Sequence, residues 1–416
     1  MTDPALPFRT AGEITAAAMD AALRHAGVLA DGATVAEVQV SPVGTGQMAD
    51  SLRVALTYEG TAGPASVIAK LASTDERSRT TGRLLRAYEV EVGFYNEVAA
   101  TVHIRTPRCH LAAIDLDTHD FVLLLEDLAP ATQGDQIEGC DADLAARVLD
   151  QAAALHAPRW NDPALRHLSW LDRTTPAAAA ATSAIVASLY PGFVERFGPG
   201  LAPEVLDGLE RGMARIGDWW RGVPGAATGP HGGLGLGKVR LGEGADAIWT
   251  VDWQTVVVGN GVADAAYFVG GNLLPEVRRA HEDDLVRHYH QALVDRGVAD
   301  LTWDECWARY RHGTWHGVYL CVAAAMLVEQ TERVSIGHGM DEGVLLGPLV
   351  NRGQYDKVLA AIARGREAVE KLLQREGRTA FKLDDLASQL GFRGAEALFE
   401  VVGKDEYSLR HIEQLL

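Results

Sequence analysis

The chain has 416 residues, which is long enough for two or three structural units with sizeable cores. Its hydrophobic content of 47% is ordinary for a globular protein, and its formal net charge of −18 argues against nucleic acid or an anionic membrane as a partner. Neither the four cysteines nor the first residues show metal, disulfide or signal-peptide patterns, so we predict a cytoplasmic protein.

The first 128 residues are predicted to form a small antiparallel sheet with one packed helix. Thr10 and Glu13 match the capping-box pattern and predict the start of a helix that ends near Gly27. Strand-like segments are then predicted at 35–40, 52–58 and 67–71, and a fully apolar run predicts a strand at 121–125. A further helix is predicted around residues 84–99, between the third and fourth strands.

Residues 129–334 are predicted to form a larger helical lobe. Short strands at 239–241 and 248–252 and the loop at 229–238 interrupt its helical pattern. Residues 335–416 differ in character and are predicted to form an appended helical tail. The predicted fold class is therefore α+β, with a ligand cleft between the two lobes.

Lys70 ends the apolar strand 67–70 and is the first candidate binding residue. A lysine that points inward from a strand end can pair with nucleotide phosphates, provided that a carboxylate on the following helix fixes it. Glu91 is the first candidate for that carboxylate and Glu97 is the second. The alternative is a surface lysine on an edge strand.

Two further segments are candidates for binding a nucleotide. Gly44 and Gly46 lie between the first two strands, where their backbone N–H groups would approach phosphates or merely form a turn. Glu126 and Leu128 follow the fourth strand, where their backbone would pair with adenine or merely end the strand. Both readings stay open for both segments.

Two aspartates in the second half of the chain complete the set. Asp252 follows the strand at 248–251 and lies 19 residues after Gly233, a spacing suited to a metal-binding aspartate. Asp264 opens the next helix, where it would cap that helix and hold the backbone of the loop at His231.

In this order the candidates resemble the aminoglycoside phosphotransferase-like family of small-molecule kinases, over about residues 8–333. The segments that carry the resemblance are 44–51, 67–70, 88–95, 123–128, 251–255 and 263–268. The resemblance implies a protein-kinase-like two-lobe fold, with ATP (or GTP) and Mg²⁺ as cofactors. It also implies that Lys70 binds phosphates, that Glu91 pairs with it and that Asp252 binds magnesium.

The loop at 231–238 departs from that family's pattern of His-Gly-Asp followed by an Asp-Asn pair. Gly233 replaces the catalytic aspartate, Gly237 the second aspartate and Lys238 the metal-binding asparagine. Loss of an oriented general base lowers the rate by about 10²- to 10⁴-fold. Lys238 would either repel the magnesium ion or neutralise phosphate charge in its stead.

The resemblance and its departure predict an ATP- and magnesium-binding kinase-like protein with impaired phosphate transfer to a small hydroxylated molecule. The alternative is a non-catalytic pseudokinase that binds a ligand or a protein partner. A third hypothesis keeps full activity through a substitute base, Asp135 or Glu243. No nucleic-acid or membrane partner is expected, and the helical tail would support a homodimer.

Two short segments of the tail resemble unrelated enzymes. Residues 347–358 resemble a stretch of aldehyde dehydrogenases, and residues 383–410 resemble a helical part of alarmone synthetases. Both segments omit the catalytic residues of those families, so they imply no activity.

Overall fold

The structure is a computed structural model that describes residues 6–43, 48–61, 63–136, 138–172, 176–221, 228–244 and 247–327. Its contacts divide the chain into one unit of Met1–Ile185 and Ala214–Gly317 and another of Val186–Met213 and Val318–Leu416. The predicted boundaries near residues 128 and 334 stay a prediction, and the predicted tail at 335–416 lies outside the described residues.

The first unit contains two antiparallel sheets. A five-stranded sheet has the order β1-β2-β3-β5-β4, and a three-stranded sheet has the order β6-β7-β8. The strands are β1 Ala33–Pro42, β2 Ala49–Gly60, β3 Ser66–Ala72, β4 Cys109–Ile114, β5 Phe121–Glu126, β6 Thr132–Gln133, β7 Val239–Leu241 and β8 Ile248–Thr250. The prediction of a small antiparallel sheet is therefore confirmed.

Helices make up most of the rest of the described chain. They are α1 Ala16–His25, α2 Glu76–Leu84, α3 Ala87–Gly93, α4 Ala142–His156, α5 Pro176–Phe197, α6 Pro203–Met213, α7 Ile216–Arg221, α8 Val262–Asn272, α9 Pro275–Asp295 and α10 Trp303–Leu327. With the sheets, these helices confirm the α+β fold class. No helix of the described residues is long and apolar enough to cross a membrane.

The first helix begins later than predicted. Thr15, not Thr10, is its N-cap, because the Thr15 hydroxyl accepts a hydrogen bond from the Ala18 N–H at 3.2 Å. Thr10 makes no such cap, and Glu13 instead accepts from the Arg9 N–H at 2.7 Å. The capping-box prediction at Thr10 is therefore wrong, since a short 3₁₀ turn at Ala11–Glu13 precedes the helix.

Residues 121–125 of strand β5 are all apolar and buried because both faces of the large sheet are covered. Leu123 packs into a core with α3, whereas Leu124 packs into a second core with α1 on the opposite face. In register, Leu123 lies opposite Lys70, which is the fifth residue of β3. Lys70 is thus placed on the face that carries α3.

A third core surrounds the loop that links the helices to the small sheet. Helix α4 packs against α9, and the buried residues Leu234 and Leu236 of the loop join this cluster. Strand β6 pairs with β7 through Thr132 and Gln133, a two-residue strand too short to predict from periodicity. The loop at 229–238 is therefore held by the packing of its leucines in this core and by the pairing of β7, the strand that follows it, with β6.

Candidate functional site

Lys70 and Glu91 form a buried ion pair. The Lys70 Nζ lies 2.7 Å from the Glu91 Oε2, and the two residues have relative exposures of 9% and 1%. Glu91 lies in α3, which packs against the sheet that contains Lys70. A surface lysine at position 70, the alternative left open by the sequence, is therefore wrong. Glu97 does not contact Lys70 and instead accepts a hydrogen bond from the Trp170 indole at 2.7 Å.

Asp252 contacts the same lysine from the other side. Its Oδ1 lies 3.0 Å from the Lys70 Nζ, and its backbone has a φ of 69°, which is uncommon for a residue with a side chain. The next residue, Trp253, is buried, stacks on Phe94 with ring centroids 3.8 Å apart and donates its N–H to Glu91 at 3.3 Å. This packing fixes the backbone that presents the Asp252 carboxylate.

Lys238 lies against the second oxygen of the same carboxylate. The Lys238 Nζ is 3.3 Å from the Asp252 Oδ2, which also accepts from the Gln254 amide at 3.3 Å. One aspartate therefore joins two ammonium groups, from Lys70 and Lys238. The residue in the place of the metal-binding asparagine is thus part of the ion cluster.

The charges of this cluster shift the pKa values of its members. Burial opposes ionisation of Asp252, but the attraction of Lys70 and Lys238 outweighs it and holds the Asp252 pKa below its usual range. Burial likewise disfavours the Lys70 cation, but Asp252 and Glu91 outweigh it and raise the Lys70 pKa. Burial raises the pKa of Glu91, against the attraction of Lys70.

Asp264 holds the backbone of the loop that carries Gly233. Its carboxylate accepts from the His231 N–H at 2.6 Å and from the Gly232 N–H at 2.9 Å. It does not cap its own helix, because Gly261 is the N-cap of α8 and no side chain accepts there. Asp264 is 2% exposed, so these hydrogen bonds form away from solvent and restrain the loop.

A buried hydrogen-bond chain supports Asp264 from behind. The His156 Nε2 donates to the Asp264 Oδ2 at 3.1 Å, and the His156 Nδ1 lies 2.8 Å from the Tyr289 hydroxyl. His156 and Tyr289 are both fully buried, on α4 and α9. The sequence analysis missed these two residues, because nothing local indicates that their helices meet behind the loop.

Two glycines of the loop differ in whether a residue with a side chain could replace them. Gly232 has a φ of 77°, and a Cβ there would lie 2.5 Å from the Thr255 carbonyl oxygen, so the position requires glycine. A Cβ on Gly233 would instead meet the Lys238 Nζ at 3.1 Å and the Thr255 hydroxyl at 3.5 Å. An aspartate at position 233 would therefore fit, but its carboxylate would lie beside an ammonium group.

Other contacts of the loop come from residues that sequence reasoning did not identify. The His316 Nε2 lies 3.1 Å from the Gly232 carbonyl oxygen, and the Thr255 hydroxyl donates to the His231 carbonyl oxygen at 2.8 Å. Asn272 accepts from the Leu236 N–H at 2.8 Å. These contacts preorganise a loop that its three alternate glycines would otherwise loosen.

The segment after β5 is held by side chains. The Asp127 carboxylate pairs with Arg53 at 2.6 Å and accepts from the Ser66 hydroxyl at 2.7 Å. Glu126 turns its carboxylate to the Arg108 N–H at 3.1 Å, and the Leu128 carbonyl oxygen accepts from the Ala131 N–H at 2.8 Å. Adenine recognition by Glu126 and Leu128 stays a prediction, and Gly44 and Gly46 lie outside the described residues.

The two carboxylates considered as substitute bases are engaged or exposed. The Asp135 side chain accepts from the Glu138 N–H at 3.4 Å, and Glu243 is exposed in the turn between β7 and β8. Neither the contact of Asp135 with Glu138 nor the exposed position of Glu243 places a carboxylate at Gly233. The third hypothesis therefore has no support from the geometry.

The buried side chain of His231 makes the free energy of unfolding depend on pH. Burial, aided by the Lys238 charge, lowers the pKa of His231 to about 4, so the folded protein keeps this ring neutral. Between about pH 6.5 and 4 the unfolded chain binds a proton that the folded chain does not. We expect the free energy of unfolding to fall by about 2 to 3 kcal/mol as the pH is lowered through this range.

Urea unfolding at pH 7.5 and pH 4.5 measures this loss, with His231→Asn as the comparison. The variant should lose less stability between the two pH values than the wild type. An equal loss in both proteins would mean that other groups carry the pH dependence.

The residues at Asp252 fit a divalent cation poorly. Both carboxylate oxygens are already paired with ammonium groups, and the neighbouring position that should supply a neutral oxygen is Lys238. Within the described ranges, no three His, Cys, Asp or Glu side chains are grouped to hold a metal. The arrangement speaks against the magnesium ion predicted at Asp252, which stays a prediction.

Part of the chain matches family models. Residues 241–301 match the ecdysteroid kinase-like family, and residues 359–416 match the RelA/SpoT AH domain. The first match covers strand β8, helix α8 with Asp264 and helix α9, and the second lies in the tail. The predicted resemblance to small-molecule kinases is confirmed, and the resemblance of the tail to alarmone synthetases is found again.

Solved structures of small-molecule kinases are similar in fold. Macrolide 2'-phosphotransferase type I is 14% identical over 82% of this chain and 98% of that one, with a TM-score of 0.44. The GDP complex of an aminoglycoside 2'-phosphotransferase-IIIa mutant is 13% identical over 74% of this chain and 92% of that one, with a TM-score of 0.46. Choline kinase from Cryptosporidium parvum Iowa II is 10% identical over 73% and 87%, with a TM-score of 0.48.

Short matches to aldehyde dehydrogenases are also found. Malonate-semialdehyde dehydrogenase 2 of Bacillus mycoides (strain KBAB4) is 32% identical over 79 residues, which are 19% of this chain and 15% of that protein. Betaine aldehyde dehydrogenase of Brucella anthropi is 52% identical over 40 residues, which are 10% of this chain and 8% of that protein. The chain thus spans 15% or less of these curated relatives.

Proposed function

We propose that this kinase-like protein binds the phosphates of ATP or GTP, and that its transfer of phosphate to a small-molecule hydroxyl is impaired. The ion triplet of Lys70, Glu91 and Asp252 is the observation that supports nucleotide binding. A strand lysine fixed by a helix glutamate, beside an aspartate that follows a later strand, is the arrangement that phosphate-transferring folds use.

Impaired transfer follows from the loop. His231 is buried and neutral and packs against Trp253 with ring centroids 4.8 Å apart, so it supports the loop and does not offer a free base. Position 233 is glycine and carries no carboxylate that could orient and deprotonate an acceptor hydroxyl. The loop therefore keeps the hydrogen bonds that hold its backbone, but it lacks a reactive carboxylate at position 233.

The acceptor belongs to the class of small hydroxylated molecules. This proposal is supported by the names of the similar structures, which include a macrolide 2'-phosphotransferase, an aminoglycoside 2'-phosphotransferase and a choline kinase. In this chain, helices α4, α8 and α9 pack beside the loop and would contribute to the surface that such a molecule contacts.

A phosphotransfer assay with labelled ATP and a panel of such acceptors tests this function. We expect the protein to bind nucleotide but to transfer phosphate about 10²- to 10⁴-fold more slowly than an enzyme with an oriented base. Fast turnover on any acceptor, lost in Asp252→Ala, would contradict the impairment.

A second candidate is a non-catalytic pseudokinase that holds a nucleotide or small ligand. The ion pair between Lys238 and Asp252 favours it, because this pair occupies a carboxylate that a catalytic site would use for metal. Nucleotide binding without any phosphate transfer, even after the loop is repaired, would select this candidate. A homodimer supported by the helical tail remains a proposal.

A further inference from the structure

Two ammonium groups and one carboxylate form a compact cluster at the end of the loop. Lys70 is tied to two carboxylates, whereas Lys238 forms its ion pair with Asp252, as far as the described residues go, and keeps 26% of its side chain exposed. An ammonium group has three N–H donors, so Lys238 can bind an additional acceptor without leaving Asp252. An anion can therefore join the cluster, whereas a cation would first have to displace an ammonium group.

The backbone of Lys238 is fixed to the strand that leads to Asp252. The Lys238 N–H donates to the Gly235 carbonyl oxygen at 2.9 Å, and the Lys238 carbonyl oxygen accepts from the Val251 N–H at 2.9 Å. The backbone of Lys238 is therefore anchored to Val251, one residue before the aspartate that its ammonium group contacts. The pairing of β7 with β8 continues directly from this contact.

Arg240 adds a further positive charge near this cluster. Its Nη1 donates to the Gly237 carbonyl oxygen at 3.2 Å, which places the guanidinium beside the loop. Asp252 acts electrostatically on it, and burial lowers the Arg240 pKa. Lys70, Lys238 and Arg240 thus all act on the single carboxylate of Asp252, and Lys70 also pairs with Glu91.

We propose that Lys238 supplies, from within the chain, the positive charge that a divalent cation would otherwise supply, so that the site holds the polyphosphate of a nucleoside triphosphate without metal. This inference rests on the proposed nucleotide site. It explains why position 238 holds a lysine in place of the neutral asparagine, and why the ammonium group of that lysine contacts the Asp252 carboxylate.

Calorimetric titration of the full chain with ATP, in EDTA and again in excess Mg²⁺, tests the inference. We expect the wild-type dissociation constants in the two buffers to agree within about threefold. Lys238→Asn should weaken binding in EDTA by about 10- to 100-fold, the range for a hydrogen bond to a charged group, and Mg²⁺ should restore part of the loss. Lys238→Arg keeps the charge and should bind ATP in EDTA.

Arg211→Gln is the matched control, since it removes one positive charge from a side chain that is 75% exposed and should leave both constants unchanged. Wild-type binding that is about tenfold or more stronger with Mg²⁺ would overturn the inference and leave the proposed function standing. No binding in either buffer would contradict the proposed function and, with it, this inference. The wild-type comparison decides the matter even where a variant fails to fold.

Discussion

Replacing Lys70 with methionine is expected to lower the free energy of unfolding by about 3 to 5 kcal/mol and to abolish nucleotide binding. The loss is large because Glu91 is 1% exposed and would lose the cation that lies 2.7 Å away, with no water to replace it. Asp252 would still have Lys238. Urea unfolding of the wild type and of Lys70→Met measures the difference.

Two comparisons make this result specific to the buried pair. Adding Glu91→Gln to Lys70→Met should recover part of the stability, because the uncompensated charge is then removed. Arg211→Met breaks an ion pair whose two side chains are 75% and 63% exposed, and should cost less than about 1 kcal/mol. A Lys70→Met protein within about 1 kcal/mol of the wild type would mean that the buried pair contributes little.

Restoring the loop with Gly233→Asp and Lys238→Asn together is expected to raise phosphate transfer by about 10²- to 10⁴-fold. Position 233 accepts a side chain, since the nearest atom to a Cβ there is the Lys238 Nζ at 3.1 Å. With asparagine at 238, the new carboxylate is free to orient an acceptor hydroxyl. The assay is transfer from labelled ATP to the acceptor panel, with ATP hydrolysis as a second readout.

The single variants are the controls for this restoration. Gly233→Asp alone should gain little, because its carboxylate would pair with the Lys238 ammonium and not with an acceptor. Lys238→Asn alone lacks the base. If the double variant folds and binds ATP but transfers phosphate no faster than either single variant, the loss of activity does not lie in the loop alone.

The elements that carry the site could be predicted because each has a strong local pattern. The apolar strands around Lys70 and Asp252 and the helix around Glu91 follow from alternation and helical spacing, and the order of the candidate residues then indicates a kinase-like fold. The N-cap of α1 could not be fixed in this way, because Thr10 and Thr15 both precede apolar residues. Only the 3₁₀ turn between them selects Thr15.

Contacts that depend on tertiary packing could not be predicted. His156 and Tyr289 read as residues of two ordinary helices, 133 positions apart, and meet only because α4 packs on α9. The charge of Lys238 was evident from the sequence, but its contact with Asp252 depends on the pairing of β7 with β8. The sequence indicated that Lys238 would repel the magnesium ion or neutralise phosphate charge, but it did not indicate that the Lys238 ammonium would pair with the Asp252 carboxylate.

The most direct test of the central claim is a thermal-shift titration of the full chain with ATP. A ligand that binds only the folded state stabilises it by about 2.7 kcal/mol at a hundredfold excess over the dissociation constant. If Lys70 and Asp252 lie in a nucleotide site, the melting temperature rises with ATP concentration, in EDTA as well as in Mg²⁺. An unchanged melting temperature at millimolar ATP in both buffers would contradict the claim that this cleft binds a nucleotide.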